Sequence, residues 1–151
     1  MTVITLHTKI NSTIEKAFQL SLDIDFHKKT ASQTNEEAIA GVTSGIIKYN
    51  ETVTWRGKHF GVFLTHTSII SAYDAPTYFV DEMIDGRFKS FRHQHYFEQK
   101  KDGVHMKDVI TYQTPYGVFV KLFDRLLLKK HMKDFIVNRN SILKKELENN
   151  R

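Results

Sequence analysis

Residues 86–114, GRFKSFRHQHYFEQKKDGVHMKDVITYQT, decide the fold, because they contain two runs of aromatic and β-branched residues separated by Asp102-Gly103. Asp-Gly between two such runs is a strong signal for a β-hairpin. The dipeptide recurs at Asp85-Gly86, so a second hairpin is predicted there. Similar runs begin near residue 38, and the middle of the chain is therefore predicted to be an antiparallel meander.

The flanking segments predict one more strand and three helices. Thr2–Ile10 is rich in β-branched residues, which favours a first strand. Polar caps and apolar residues at helical spacing then predict short helices over 13–22 and 24–30. After Pro115 an apolar stripe predicts a helix of about 30 residues, or about 45 Å. The predicted fold class is α+β: a curved antiparallel sheet of about seven strands wraps around the long C-terminal helix, and residues 1–151 form one domain.

The composition argues against several classes of protein. The chain has no cysteine, so disulfides and thiolate chemistry are excluded. No run approaches the ~20 apolar residues of a membrane span, and the N-terminus lacks the pattern of a signal peptide. The net charge is +5, but residues 117–151 hold nine Lys/Arg against four acidic residues, as a solvated helix face would. We predict a cytoplasmic monomer or weak homodimer with no nucleic-acid partner, no integral membrane association and no cofactor.

The SFRHQHYF segment carries two histidines on one face of a predicted strand. Side chains alternate along a strand, so His93 and His95 share a face with Phe91 and Phe97, whereas Arg92 takes the opposite face. The histidine face is the more apolar one and is predicted to point inward.

Strand register predicts the partners of this face. A two-residue loop at Asp102-Gly103 pairs His93 with Tyr112, and a loop two residues longer pairs His95 with Asp108. In both registers Asp108 and Tyr112 share the histidine face. A two-residue loop at Asp85-Gly86 pairs Glu82 with Lys89, which places Glu82 on that face as well.

Four interpretations of this polar group remain open at the level of sequence. It is a structural pair, because a buried polar group without a partner costs about 1–3 kcal/mol. Alternatively it is a polar anchor for a ligand in an apolar pocket, which a curved sheet around a helix tends to leave open. A His-x-His strand with Glu82 or Asp108 could also bind a metal. Finally, His93 or His95 could serve in acid–base catalysis, although no nucleophile motif accompanies them.

Three stretches resemble one protein family: ETVTWRGKHFGV (51–62), FVDEMIDGRFKSFRHQHYF (79–97) and MKDVITYQTPYGVF (106–119). With the order of elements, they resemble the START-like or SRPBCC superfamily of polyketide cyclase/dehydrase-like proteins, which has the helix-grip fold. The local match is to a bacterial branch labelled cell-division-inhibitor-like. The resemblance implies a deep apolar cavity that binds a lipid, polyketide, sterol or quinone. Its motif positions fall on Trp55, Glu82, Phe91, Arg92, His93, His95, Asp108 and Tyr112.

The function predicted first is the binding of a hydrophobic small molecule between the sheet and the C-terminal helix. The second is a cyclase, dehydratase or hydrolase that uses His93 or His95 in the same cavity, and the third is an interaction protein whose basic helix docks on an acidic partner. No residue is assigned as catalytic or as a metal ligand. The predicted ligand-binding residues are Trp55, Glu82, Phe91, His93, His95, Phe97, Asp108, Tyr112, Phe119 and Phe123.

Overall fold

The structure is a computed structural model that describes residues 1–150. The strands are β1 (Thr2–Ile10), β2 (Glu37–Gly41), β3 (Thr52–His59), β4 (Val62–Asp74), β5 (Tyr78–Asp85), β6 (Ser90–Lys100) and β7 (Gly103–Gln113). The helices are α1 (Ile14–Ser21), α2 (Ile24–Thr30), α3 (Val118–Phe123) and α4 (Lys129–Asn149). A 3₁₀ turn at Ser32–Thr34 follows α2, and a π-helical turn at Asp124–Leu128 joins α3 to α4.

All strands belong to one antiparallel sheet in the order β1-β7-β6-β5-β4-β3-β2. Register shifts interrupt the β2–β3 and β4–β5 ladders, and such bulges bend a sheet. The long helix α4 packs on β1, α1 and α2. The predicted α+β helix-grip fold is therefore confirmed, including the two short helices after the first strand.

Side-chain caps explain where the two short helices begin. The Thr13 hydroxyl oxygen accepts a hydrogen bond from the Lys16 amide, and the Asp23 carboxylate accepts one from the Phe26 amide. Both bonds satisfy amide groups that lack a partner inside the first turn. No helix among residues 1–150 is long and apolar enough to cross a membrane.

The turn between β3 and β4 lies at Phe60-Gly61, whereas Gly57 and Lys58 lie inside β3. Phe60 and Gly61 have φ angles of 51° and 79°, as a two-residue hairpin turn with two left-handed positions requires. Gly57 is needed for a different reason: a Cβ atom there would lie 2.6 Å from Cγ of Glu36. Gly57 therefore marks a place where the Glu36 side chain lies close to the backbone of β3, and not a turn.

The register of β5 and β6 corrects the prediction for Glu82. The structure pairs Asp81 with His93 and Glu82 with Arg92, whereas a tight loop at Asp85-Gly86 would pair Glu82 with Lys89. The connection is longer than two residues, and it shifts the register by an odd number of residues. An odd shift turns every side chain to the other face. Asp81, not Glu82, therefore shares the histidine face.

The β6–β7 register agrees with the second of the two predicted pairings. His95 pairs with Asp108 and His93 with Ile110, and the ladder closes at Lys100 and Gly103. Phe91, His93, His95 and Phe97 are all buried, which confirms that the histidine face points inward.

A band of polar residues divides the apolar core into two clusters. On β6 the inward residues change from Phe91 in one cluster, through the histidines, to Phe97 in the other. The inward residues of β7 and α4 change in the same way, with Asp108 on β7 and Arg139 and Asn140 on α4 forming the band. Three elements thus bring their polar residues to one level of the interior.

Candidate functional site

A cavity of about 350 Å³ lies between the sheet and the helical segment that runs from α3 to α4. Its buried lining includes Trp55 on β3, Phe91 on β6 and Ile136 on α4. Its exposed lining residues come from the β3–β4 turn, β4, the β5–β6 connection and the segment around α3; they are Phe60, Thr65, Arg87, Pro115 and Phe123. These residues surround the open end, and the polar band lies at the buried end.

Histidines are concentrated around this cavity. Of the eight histidines in the chain, six line it: His27, His59, His66, His93, His95 and His131. The His27 ring lies 4.3 Å from the Trp55 ring at an angle of 37°, and His59 and His131 share a hydrogen bond of 3.0 Å between Nδ1 and Nε2. The wall is otherwise mainly aromatic and aliphatic, so these imidazoles are its principal polar groups together with Asp81, Glu36 and two arginines.

His93 and His95 lie side by side between two carboxylates. Their ring centroids are 3.7 Å apart. Nε2 of His93 is 2.8 Å from Oδ1 of Asp108, and Nε2 of His95 is 2.8 Å from Oδ2 of Asp81. The remaining nitrogens also face these two residues, because Nδ1 of His93 lies 3.8 Å from Asp81 and Nδ1 of His95 lies 3.2 Å from Asp108. Each ring is therefore held between the same two acids.

Asp108 is the buried centre of this network. Asn140 donates a hydrogen bond of 2.7 Å to its Oδ2, and Nη1 of Arg139 lies 3.5 Å from its Oδ1. Burial would raise the pKa of the Asp108 carboxyl, but the hydrogen bond from His93, the nearby His95 and the charge of Arg139 hold this pKa well below its usual range. Asp108 is therefore a carboxylate at neutral pH, and it links both histidines to α4.

Asp81 is the acid on the cavity side. Its side chain is 26% exposed, whereas that of Asp108 is fully buried. Burial acts to raise the pKa of Asp81, but the hydrogen bond from His95 and the nearby His93 lower it to about 2. Burial and the neighbouring His95 lower the pKa of His93, which favours its neutral form. A charged carboxylate therefore lies at the floor of the cavity beside a neutral imidazole.

Five of the predicted residues line the cavity. They are Trp55, Phe91, His93, His95 and Phe123. Phe123 contacts Phe60 across the open end, with ring centroids 5.1 Å apart. Their part in ligand binding remains a prediction.

The other five predicted residues lie away from the cavity surface. Glu82 faces the opposite side of the sheet, and Asp108 lies behind the histidines that it orients. Phe97 packs against Phe18 and Phe79 in the core, because it lies farther along β6 than the histidines. Of the two remaining residues, Tyr112 is buried and Phe119 is exposed to solvent.

Tyr112 is fully buried, and its hydroxyl donates a hydrogen bond of 2.5 Å to Asp124. Burial and this carboxylate raise the pKa of Tyr112. Thr2 donates to the other oxygen of Asp124, so the π-helical turn is anchored to two strands. Phe119 is 88% exposed, because α3 turns it outward. Tyr112 thus positions a wall of the cavity, and Phe119 belongs to its outer surface.

Asp81, Arg139 and Asn140 are the site residues that sequence analysis missed. The inward stripe of α4 runs through Ile136, Arg139, Asn140, Leu143 and Leu147. Two polar residues thus interrupt a regular apolar stripe at inward positions, and this interruption is a signal for a buried polar site. Arg139 is only 5% exposed, which corrects its assignment to a solvated basic face.

Three solved structures match this fold over nearly the whole chain. TTHA0849 from Thermus thermophilus has a TM-score of 0.79 at 16% identity, and the match covers 97% of both chains. Major latex-like protein 151 from Panax ginseng has a TM-score of 0.71 at 14% identity, again over 97% of both chains. For the KanY protein the TM-score is 0.76 at 11% identity, with 97% of each chain covered. The sequence matches no protein-family model and no curated protein.

These likenesses support the helix-grip fold. Identities of 11–16% show a shared fold alone, because one fold hosts many functions. The narrower assignment to the cell-division-inhibitor-like branch remains a prediction that rests on the sequence motifs.

Proposed function

We propose that this protein binds a hydrophobic small molecule, such as a lipid or polyketide, in the cavity between the sheet and the C-terminal helical segment. The observation that carries the proposal is an apolar cavity of about 350 Å³ with a polar group at its buried end. Sites for small molecules are typically concave, roughly 300–1,000 Å³ in volume, and apolar except for a few polar groups that fix orientation.

The lining suggests how such a molecule would be oriented. Its apolar body would pack against Trp55 and Phe91, and its polar end would reach His93, His95 and Ser68. Because Asp81 is charged, a hydroxyl or another hydrogen-bond donor is favoured at the polar end over a carboxylate.

The surface around the open end supports entry from that side. Large apolar side chains are exposed on α3, on the segment before it and on the π-helical turn: Tyr116, Val118, Phe119, Leu122, Leu126 and Leu127. Contiguous exposed apolar surface of this kind marks binding sites and grooves more often than ordinary protein surface. A hydrophobic molecule would therefore meet an apolar surface before it enters the cavity.

Acid–base catalysis in the same cavity is the second candidate function. The buried His93–Asp108 pair favours it, because a carboxylate that orients an imidazole is a common arrangement in acid–base sites. Against it, three of the four ring nitrogens of His93 and His95 lie within 3.2 Å of a carboxylate, and only Nδ1 of His93, 3.8 Å from Asp81, is left to exchange a proton with a substrate. Binding is therefore the better-supported function.

The proposal is tested by filling the cavity. Ser68 is buried and lines the cavity, so Ser68→Phe places a ring in the binding space. Ser90→Phe is the matched control, because Ser90 is exposed on the opposite face of the sheet. Binding of the uncharged probe N-phenyl-1-naphthylamine is followed by its own fluorescence and by that of Trp55, the only tryptophan.

We expect the wild type and Ser90→Phe to bind the probe with one site per chain, and Ser68→Phe to bind at least tenfold more weakly. Unfolding curves check that Ser68→Phe remains folded, since overpacking typically costs about 1–3 kcal/mol. Equal probe binding by both variants would place the probe outside the cavity and contradict the proposal.

A further inference from the structure

Three metal-ligating atoms converge at the floor of the cavity. They come from Asp81, His93 and His95, and all lie within 4.8 Å of one another. Oδ2 of Asp81 lies 3.8 Å from Nδ1 of His93 and 2.8 Å from Nε2 of His95. We propose that Asp81, His93 and His95 bind one divalent ion of the first transition row, of the Zn²⁺ or Fe²⁺ class. This metal site is independent of the proposed hydrophobic ligand, because all three ligand atoms belong to protein side chains. Metal binding can therefore be measured in the absence of that ligand.

The hydrogen bonds of the imidazoles support this site. His93 donates Nε2–H to Asp108, so the neutral ring carries a lone pair on Nδ1, the nitrogen that faces Asp81. Nδ1 of His95 is buried 3.2 Å from the same oxygen of Asp108, but it has no hydrogen-bond partner of good geometry within residues 1–150. A metal ion on Nε2 of His95 would place the ring proton on Nδ1, and a small rotation of the ring would direct this proton at Asp108. Both rings would then donate to Asp108 and offer lone pairs on the Asp81 side.

This arrangement matches the outer shell of known metal sites. Metal-ligating histidines usually donate their other N–H to a carboxylate or a carbonyl, which fixes the tautomer and orientation of the ring. Asp108 is placed to serve both histidines in this way, and Arg139 and Asn140 hold it from α4. The orienting shell is therefore already built behind the three ligand atoms.

Charge balance points in the same direction. The buried network contains two carboxylates, Asp81 and Asp108, and one guanidinium, that of Arg139. An uncompensated buried charge is costly, so a cation between Asp81 and the imidazoles would stabilise the network. A proton on one imidazole is the competing cation, and the experiment separates the two.

The donor set also indicates the class of metal. Two imidazoles and one carboxylate form the protein ligands of many catalytic zinc sites and of mononuclear non-haem iron sites, both of which keep positions open for water or substrate. Bond lengths of 2.0–2.2 Å in a tetrahedral site separate ligand atoms by roughly 3.4 Å. The Asp81 oxygen lies 2.8 Å from His95 Nε2 and 3.8 Å from His93 Nδ1, so a small shift of this half-buried side chain suffices. Open positions would face the cavity.

The test uses untagged full-length protein treated with a chelator and then titrated with Co²⁺, whose visible absorption reports ligand geometry. Zn²⁺ is added afterwards as a competitor, and the stoichiometry is measured by equilibrium dialysis with elemental analysis. The variants are Asp81→Asn and His95→Gln. The matched control is His105→Gln, because His105 and Asp102 form an exposed histidine–aspartate pair at 2.9 Å.

We expect one Co²⁺ to bind per chain and to show the visible absorption of a Co²⁺ ion with few ligands. Added Zn²⁺ should displace the Co²⁺ and abolish this absorption. Loss of a ligand should weaken binding by more than the ~10–100-fold typical of outer-shell changes, whereas His105→Gln should change affinity less than threefold. Asp81→Asn is nearly isosteric, and circular dichroism checks its fold. If the variants do not fold, ¹⁵N NMR of the wild-type protein provides the test. Zn²⁺ must then change the chemical shifts of Nδ1 of His93 and Nε2 of His95.

Three results would overturn the site. They are the lack of a saturable Co²⁺ spectrum at millimolar Co²⁺, an affinity unchanged by Asp81→Asn, and binding that His105→Gln removes. The first would leave a proton as the cation of the network, and the last would show an adventitious surface site.

Discussion

Nε2 of His93 donates a hydrogen bond of 2.8 Å to Asp108, and neither residue is more than 6% exposed. The bond joins β6 to β7, and Asn140 extends it to α4. A buried polar network is stabilising only while all its members are satisfied, because the low local dielectric strengthens each bond and penalises each lost one. This network therefore fixes the distance between the sheet and the helix at the level of the cavity floor.

Removing the carboxylate of Asp108 should be strongly destabilising. Asp108→Ala leaves the Arg139 guanidinium and two imidazoles without their shared partner, and breaking a buried ion pair typically costs about 3–5 kcal/mol. Asp108→Asn keeps one acceptor and should cost less. Urea unfolding measures both, and a loss below about 1 kcal/mol for Asp108→Ala would show that the network is not structural.

Replacing His93 should weaken the binding of a ligand with a polar end. His93→Gln keeps a donor for Asp108 but removes the imidazole from the cavity wall, and one hydrogen bond is worth about 0.5–1.5 kcal/mol, or roughly 2–12-fold in affinity. Isothermal titration with a hydroxylated lipid probe measures the change. Arg92→Gln on the outer face is the control. Loss of folding in His93→Gln, or unchanged affinity, would favour a purely structural histidine.

Local patterns in the sequence were sufficient for the fold and for the inward face of β6. Alternation placed Phe91, His93, His95 and Phe97 correctly, because a strand exposed on one side has a strict period of two. The prediction that Glu82 is the acidic partner of the histidines was wrong, because that partner depends on the length of the β5–β6 loop. The register is shifted by an odd number of residues, so Asp81 and not Glu82 lies on the histidine face. Side-chain pairing across the β5–β6 connection is a tertiary property that a dipeptide signal does not determine.

The C-terminal segment shows a second limit of sequence reasoning. Apolar residues at helical spacing predicted a continuous helix packed on the sheet, but Phe119 is exposed and a π-helical turn separates α3 from α4. A π-helical turn changes the number of residues per turn, so an apolar stripe read at the α-helical period no longer identifies the residues that face the core. The inward orientation of Arg139 was missed for the related reason that basic residues are expected to face solvent.

The exposure of Phe119 leads to a simple stability test. Phe119→Ala should change the free energy of unfolding by less than about 0.5 kcal/mol, because the side chain is 88% exposed. Phe91→Ala removes a buried ring from the cavity wall and should cost about 3–5 kcal/mol. Chemical unfolding of the two variants compares them directly, and similar losses would mean that α3 packs inward in solution.

Stability should decrease in mild acid because of His66. Burial lowers the pKa of His66 below 6.5, and His59 and His27 add to this, whereas Asp81 and Glu36 oppose it. The unfolded chain therefore binds a proton that the folded chain does not, so the free energy of unfolding falls as the pH drops through 6.5.

The variant His66→Gln should reduce the fall between about pH 7.5 and about pH 5.5 by roughly 0.5–1 kcal/mol. Urea unfolding at the two pH values measures the difference. An identical fall in the wild type and the variant would show that His66 is solvated in the folded state.

The most direct test of the central claim is native mass spectrometry of the purified wild type, followed by denaturing extraction and a panel of added fatty acids, quinones and aromatic polyketides. We predict one hydrophobic molecule per chain, either carried through purification or taken up from the panel, that is released on unfolding and is not retained by Ser68→Phe. A wild type that stays bare with every member of the panel, or that retains its molecule equally well as Ser68→Phe, would contradict ligand binding in this cavity.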